Sequence, residues 1–329
     1  MSTSVDLVIT WVDGSDPSWR NKRHEHSKGN LEGVFETGNV EGRYRDNDEL
    51  RYLLRSIEKF WPFEGSIFLV TDNQRPAFLA DHPRVRIVDH TEILESQYLP
   101  TFSSRSIESA LHKIPGISEH FVAFNDDLLL MRQVSFDDFF ANNGCTVYLT
   151  DEDLPRDLGV KNLTGESDAI MAQKWGRAHY GTSPIEKVIE HNPKGIRKSW
   201  MEALESKHPE IFHNTRSEKF RAVGAHSILA NLYGVDCAAQ GRAEFRTNEC
   251  LYFYTDDVEK RDLSVEMLAG MNRKLAACIN DTTDNRDDVD EMRDRLRDVY
   301  EACFPEPSGF EFRPPRPVHS YHLDGGLQM

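Results

Sequence analysis

Phe121-Val122-Ala123-Phe124-Asn125-Asp126-Asp127 is an apolar run that stops on two carboxylates. Its length and composition are those of a buried strand, and a strand ending in Asp-Asp delivers acid groups to whatever lies beyond its carboxyl end. In open α/β sheets ligands bind at that end, and neighbouring hard oxygen donors are what a divalent cation accompanying a phosphate requires. The beginning of the chain repeats the design. Val5-Asp6-Leu7-Val8-Ile9-Thr10-Trp11-Val12 reads as a strand and runs into Asp13-Gly14-Ser15-Asp16-Pro17, carboxylates on a turn-forming sequence. Taken singly, either acidic end is equally well a solvated turn or a helix cap, roles that Asp often fills.

Between these two runs, Leu50, Leu53, Leu54 and Ile57 recur at i, i+3, i+4 and i+7, which predicts an amphipathic helix over 47–60 with Asp46 or Asn47 as its cap. Residues 67–70 and 85–88 read as strands, and 103–113 as a helix carrying Ile107, Ala110 and Leu111 on one side. Strands and helices alternating in this way predict an α/β fold with a mostly parallel sheet and right-handed crossovers, so 1–150 is expected to form a Rossmann-like lobe that binds a nucleotide. The segment 13–45, polar and punctuated by Gly29, Gly33, Gly38 and Gly42, is expected to be a mobile loop acting as a lid. From 151 to 304 the reading is mainly helical, a portion that completes the active site. Its expected helices are 167–180, 184–190, 198–206 and 224–233, followed by a short strand at 251–254. Val289, Met292, Leu296, Val299 and Cys303 then step along one helix face, and a Pro- and Gly-rich tail, 305–329, is expected to wrap the surface or be partly disordered.

The chain of 329 residues has a formal charge of −16, which argues against a broad nucleic-acid surface and against docking on anionic lipid. One stretch departs from that balance: from His191 to Arg221 there are seven Lys and Arg against four Glu, a pattern of either a phosphate-facing segment or a solvated helix face. Five scattered cysteines form no C-x-x-C pair, so neither a zinc site nor a disulfide framework is indicated. With no signal-peptide pattern and no apolar stretch near membrane-spanning length, a soluble, cytoplasmic protein is expected. The acidic run from Asp281 to Asp290 is no EF-hand, because Arg286 stands where that loop needs Gly and Met292 where it needs Glu.

Four blocks resemble the signature regions of the Stealth proteins: LVITWVDGSDP (Leu7–Pro17), the long block from Arg43 to Asp127, the segment from His191 to Arg221, and CIND (Cys278–Asp281). Stealth proteins are sugar-1-phosphate transferases that include bacterial capsular-polysaccharide phosphotransferases and the catalytic subunit of the lysosomal-enzyme N-acetylglucosamine-1-phosphotransferase. The resemblance implies transfer of a hexose-1-phosphate from a UDP-sugar to a hydroxyl of a sugar or glycan acceptor, with release of UMP and help from Mg²⁺ or Mn²⁺. It points to Asp13, Glu108, Asp127, His191 and Arg221 as the residues on which activity depends, with Asn280 and Asp281 at the same site.

Phosphoryl transfer is mostly positioning and charge neutralisation, so a metal, a guanidinium and an acceptor for the hydroxyl proton are the parts to look for. The metal is expected at Asp126 or Asp127 together with Asn280 and Asp281, the base is expected to be His191, and the phosphate grip Arg221. Donor contacts are expected from Thr10, Trp11 and Gly14 at the first strand end, from Arg45 and Asn47, from Ser104 and from Asn125. Several of the candidates have a plainer reading: Trp11 as core, Asn47 as a cap, Glu108 as a surface acid paired with His112 or Lys113, His191 as a structural hydrogen-bonder among thirteen histidines. Two other functions compete, a metal-dependent GT-A-type glycosyltransferase releasing UDP and a non-catalytic sugar-nucleotide-binding protein.

Overall fold

The computed structural model describes residues 4–28, 34, 38–154, 165–182, 184–222, 224–284 and 286–312. Its strands are β1 (Asp6–Thr10), β2 (Ile67–Thr71), β3 (Val85–Asp89), β4 (His120–Asn125), β5 (Leu128–Leu130), β6 (Cys145–Asp153), β7 (Lys187–Ile189), β8 (Lys194–Arg197), β9 (Ala243–Thr247), β10 (Cys250–Tyr254) and β11 (Ala276–Asn280). Its helices are α1 (Pro17–Ser27), α2 (Glu49–Phe60), α3 (Ser104–Glu108), α4 (Asp137–Phe140), α5 (Gly165–Tyr180), α6 (Lys198–Lys207), α7 (Pro209–Ser217), α8 (Tyr233–Ala239), α9 (Leu263–Gly270) and α10 (Val289–Cys303).

The main sheet runs β3-β2-β1-β4-β8, parallel through its first four strands and closed by β8 antiparallel to β4. This is the Rossmann-like, mostly parallel α/β sheet expected from the alternation of elements. Every residue of β1 and β2 is buried, as it must be when both faces are covered. The period of two divides the side chains between two cores: Leu7, Ile9, Val122 and Phe124 pack on one side with α2 and α10, while Val8, Phe121 and Ala123 pack on the other with α6 and α7. Each such side chain taken from water stabilises the fold by about 1.5–3 kcal/mol. On the α2 side, Tyr52 stacks on Tyr300 at 4.9 Å and Arg55 bonds Glu311 at 2.7 Å, which ties the final helix and the segment beyond it to α2.

Two smaller sheets flank the first. β5 pairs antiparallel with β11, which pairs parallel with β10; β6 lies between β7 and β9. The stretch expected to be mainly helical therefore also supplies strands, and one of them, β8, belongs to the main sheet.

Several local expectations are corrected. Within the supposed loop 13–45, Pro17–Ser27 is a helix: Asp16 caps the amides of Ser18 and Trp19, Pro17 occupies the first turn, and only Trp19 is buried, so apolar periodicity gave no signal. The remainder of the lid expectation at 29–33 and 35–37 lies outside the described residues. Helix α2 begins at Glu49; Asp46 accepts from the Asp48 amide, and Asp48 holds a left-handed φ of 71° at the helix start. The helix expected over 103–113 is a short α-turn at Ser104–Glu108 followed by a 3₁₀ turn at Leu111–Lys113. Residues 184–190 are no helix: Lys187–Ile189 pairs with β6, where the branched Val188 and Ile189 suit a strand. Over 224–233 the chain makes a wide turn at Ile228–Leu232 before α8 starts, and α7, α9 and the strands β6, β8, β9 and β11 had no counterpart in the sequence reading. The tail from 313 onward lies outside the described residues.

Candidate active site

The carboxyl ends of β1 and β4 lie side by side, with Thr10 in register with Asn125. Asn125 donates to the Glu108 carboxylate at 3.1 Å and lies 3.4 Å from the Thr10 hydroxyl, so three expected residues form one chain of contacts. Glu108 closes α3 and is 8 % exposed, pointing inward rather than pairing on the surface. At Asp126-Asp127 the chain leaves the main sheet and enters β5, whose pairing with β11 puts Leu128 opposite Cys278. That crossing brings the Cys278 thiol to Asp127 Oδ2 at 3.4 Å.

His191 arrives from the other direction. Because β8 runs antiparallel to β4, with Lys194 opposite Ala123, the residues just before Lys194 pass over the β4 carboxyl end. His191 Nε2 sits 3.4 Å from Asp127 Oδ1. Burial alone would raise the Asp127 pKa, but the His191 ring, the Cys278 thiol and the Arg43 guanidinium outweigh it and hold the carboxyl below its ordinary range. Burial, and then Asp127, push the Cys278 thiol well up. Asp127, His191 and Cys278 each offer one ligand atom within 4.8 Å of the other two, a group able to hold a metal ion. A carboxylate that stays ionised at a strand end fits a divalent cation in charge and hardness.

Arg221 is placed by aromatic packing: Phe220 stacks on Phe102 at 5.2 Å, and the Phe102 amide bonds the Lys219 carbonyl. The guanidinium then donates to the Ser104 hydroxyl at 2.8 Å, uniting two expected residues. Beside it lies Arg43, which donates to Asn280 Oδ1 at 3.2 Å. Burial, and then the positive charge of Arg221, pull the Arg43 pKa down to about 10, with Tyr252 and Asp127 opposing. Two guanidiniums near enough to repel one another form a corner that an anion would relieve.

A cleft of about 790 Å³ joins these groups and is lined by Thr10, Trp11, Arg43, Asp127, His191 and Arg221 among others. That volume suits a nucleotide-sized ligand. Arg45, Ser104, Glu108, Asn125, Asp126, Asn280 and Asp281 also reach it, whereas Asp13, Gly14 and Asn47 are not among its lining residues. The Asp13 carboxylate bonds the amide and hydroxyl of Ser15. Gly14 donates its amide to the Tyr44 carbonyl at 2.8 Å, and a Cβ there would lie 2.1 Å from that oxygen, so only glycine fits. Asn47, fully buried, bonds both carboxylate oxygens of Glu49. Trp11 is 5 % exposed and packs in the core even as it borders the cleft.

Asp281 is engaged elsewhere than at Asp127. It forms an ion pair with Arg45 at 2.5 Å, accepts from the Thr283 amide and hydroxyl, and abuts Gly42, where a Cβ would lie 2.3 Å from Oδ1. Asn280 bonds Arg43 and the Tyr252 hydroxyl. Asp126, Glu49 and Asp46 crowd one another's charge here. Burial, and then Asp127 and Asp46, raise Asp126 well above its usual pKa; burial, and then Asp46 and Asp126, do the same to Glu49; burial lifts Asp46 to about 6.

Sequence reasoning did not single out Arg43, Cys278, Tyr252 or Lys194. Lys194 borders the cleft with its pKa lowered by burial to about 8. The period of two in β11, which puts Cys278 and Asn280 on one face, was the signal available for Cys278.

Residues 3–30, 43–148 and 270–322 match the Stealth protein conserved regions 1, 2 and 4. An exopolysaccharide phosphotransferase of Streptomyces coelicolor is 37% identical over 320 residues, covering 93% of this chain and 52% of the relative, so the chain spans about half of that relative's length. A capsular polysaccharide phosphotransferase of Haemophilus influenzae is 32% identical over 287 residues, covering 85% of this chain and 78% of the relative. Among solved structures, a galactosyltransferase in complex with donor and acceptor sugar analogues aligns with a TM-score of 0.44 at 10% identity, over 91% of this chain and 96% of that one. Among the described residues no helix is long and apolar enough to cross a membrane.

Proposed function

We propose, from the premise that this chain belongs to the Stealth protein family, that it transfers a hexose-1-phosphate from a UDP-sugar to a hydroxyl of a sugar or glycan acceptor. The relatives' names support a sugar phosphotransferase; N-acetylglucosamine-1-phosphate is the first candidate for the group moved. The observation that carries the reading is the pairing, at one strand end, of an Asp127–His191 couple with a corner formed by Arg43, Arg221 and Ser104.

In this reading His191 takes the proton of the acceptor hydroxyl, and Asp127 beside it stabilises the imidazolium that forms. The hydroxyl oxygen attacks the phosphorus that bears the sugar. The bond from that phosphorus to the bridging oxygen breaks, and the electron pair leaves with UMP, giving a phosphodiester between acceptor and sugar. Arg43 and Arg221 hold the diphosphate and offset the charge that develops on it. Asp127, the carboxyl held ionised at the strand end, would hold a Mg²⁺ or Mn²⁺ ion, which would supply further neutralisation of the diphosphate when bound.

The test is to incubate the protein with a panel of UDP-sugars, glycan acceptors and Mg²⁺, and to separate the nucleotide products. UMP with a phosphodiester product is expected; UDP as the sole nucleotide product replaces this reading with a glycosyltransferase. Treatment with a chelator should stop turnover, and restoration by Zn²⁺ but not by Mg²⁺ or Mn²⁺ would assign the metal to the nitrogen and sulfur donors of His191 and Cys278 instead.

A further inference from the structure

Strand β10 alternates sharply. Phe253 points into the core, while Tyr252 and Tyr254 on the opposite face are 40% and 49% exposed and border the cleft. Two large aromatic rings left in water beside a reaction centre are not accounted for by packing. The rings meet edge to face, 5.4 Å between centroids at 82°, and Tyr252 meets the His191 ring in the same way at 6.0 Å and 83°. The Tyr252 hydroxyl accepts from Asn280, which in turn accepts from Arg43, so this ring is held in place from behind.

We infer that Tyr252 and Tyr254 are an acceptor platform on which two successive hexose units of a glycan lie. This rests on the function proposed above. A base must come within hydrogen-bond reach, about 2.6–3.2 Å, of the hydroxyl it deprotonates, so the sugar ring bearing that hydroxyl lies close to His191. The aromatic ring adjoining His191 is Tyr252. A pyranose has C–H-lined faces that suit the negatively charged face of an aromatic ring, and a rim of hydroxyls that turns outward to water. Tyr254 follows two residues along the strand, its ring centroid 5.4 Å from that of Tyr252 and turned 82° to it, so a chain whose first sugar lies against Tyr252 meets the Tyr254 ring with its next sugar. With the donor's phosphates on Arg43 and Arg221, the exposed ring faces beside His191 are left to the acceptor. The platform therefore selects an oligosaccharide over a monosaccharide as acceptor.

The experiment compares Tyr254→Ala and Tyr254→Trp with the unaltered protein, using a panel of hexose disaccharides and the matching monosaccharides. Two readouts are taken: the Michaelis constants for acceptor and for UDP-sugar, and direct binding of each saccharide by saturation-transfer NMR. For Tyr254→Ala the acceptor KM of disaccharides should rise about fivefold or more, the size of one lost aromatic contact, while the monosaccharide and donor constants move less than twofold. Tyr254→Trp should keep disaccharide binding. Equal affinity for disaccharide in the Ala variant and the unaltered protein overturns the platform, as does an unaltered protein that binds mono- and disaccharides alike. Absence of UMP release from every donor, with disaccharide binding still lost in Tyr254→Ala, would overturn the phosphotransferase reading and leave the platform standing.

Discussion

Replacing Asp281 by Asn separates two roles for that residue. As a metal ligand it would set the concentration of cation required for turnover; as a clamp it holds two distant segments of chain together. The structure favours the clamp. Side chains of Arg45 and Asp281 are 11% and 4% exposed and meet at 2.5 Å. The same segments are joined by the Gly42 amide on the Thr283 carbonyl at 2.8 Å and the Glu41 amide on Asp284 at 3.3 Å. Asn keeps the shape of the side chain and an oxygen for the Thr283 amide but removes the charge, leaving the buried Arg45 guanidinium with its bond to the Thr283 hydroxyl and no counter-charge. Breaking a buried pair from one side costs about 3–5 kcal/mol, which corresponds to a fall in Tm of roughly 4–7 °C for a chain of this size. Because Arg43 lies between the two joined segments and bonds Asn280, turnover should fall as well. Thermal unfolding measured beside a Mg²⁺ or Mn²⁺ titration of activity gives the answer, and Asp281→Asn combined with Arg45→Met should cost less than the two single changes added. An unchanged Tm together with a tenfold rise in the cation needed for half-maximal activity would refute the clamp and make Asp281 a metal ligand.

Two further outcomes are expected. His191→Ala should lower kcat by about 10²–10⁴-fold with donor binding nearly kept, whereas Arg221→Ala should weaken donor binding too, because a guanidinium facing phosphate serves the ground state as well as the transition state; calorimetric donor titrations in which both variants lose binding equally would make His191 a phosphate ligand. Asp46, whose folded-state pKa is raised by burial to about 6, favours the fold in its protonated form: that contribution is complete below the unfolded carboxyl value, near 4, and is lost as pH rises through about 6. Asp46→Asn should therefore raise Tm at pH 7.5 and leave it nearly unchanged at pH 4, and a Tm that drops at pH 7.5 would show that the Asp46 charge supports the fold.

Much of the architecture was written locally. The buried runs of β1 and β4, the i, i+3, i+4, i+7 stripe of α2 and the single apolar face of α10 are patterns set within a turn or two of chain, and the structure keeps all of them. Where local signals were weak the reading failed: α1 buries one residue, β7 is three residues long, and the α3 helix breaks after five. The motifs likewise named Asp127, His191 and Arg221, and folding brings Asp127 to His191 across 64 residues and Arg221 to Ser104 across 117.

From the sequence alone came the parallel α/β sheet, the family, and the residue types from which a phosphate site can be built. The tertiary structure alone decided which of those residues meet. β8 returns antiparallel to β4 and carries His191 over the strand end, β5 crosses to β11 and sets Cys278 against Asp127, and Arg45 takes the Asp281 carboxylate that an acid-rich motif offers equally well to a metal. Such choices depend on strand pairing and burial between segments separated by 151 and 236 residues, and no periodicity of the chain, which reports only on neighbours within a few residues, encodes them.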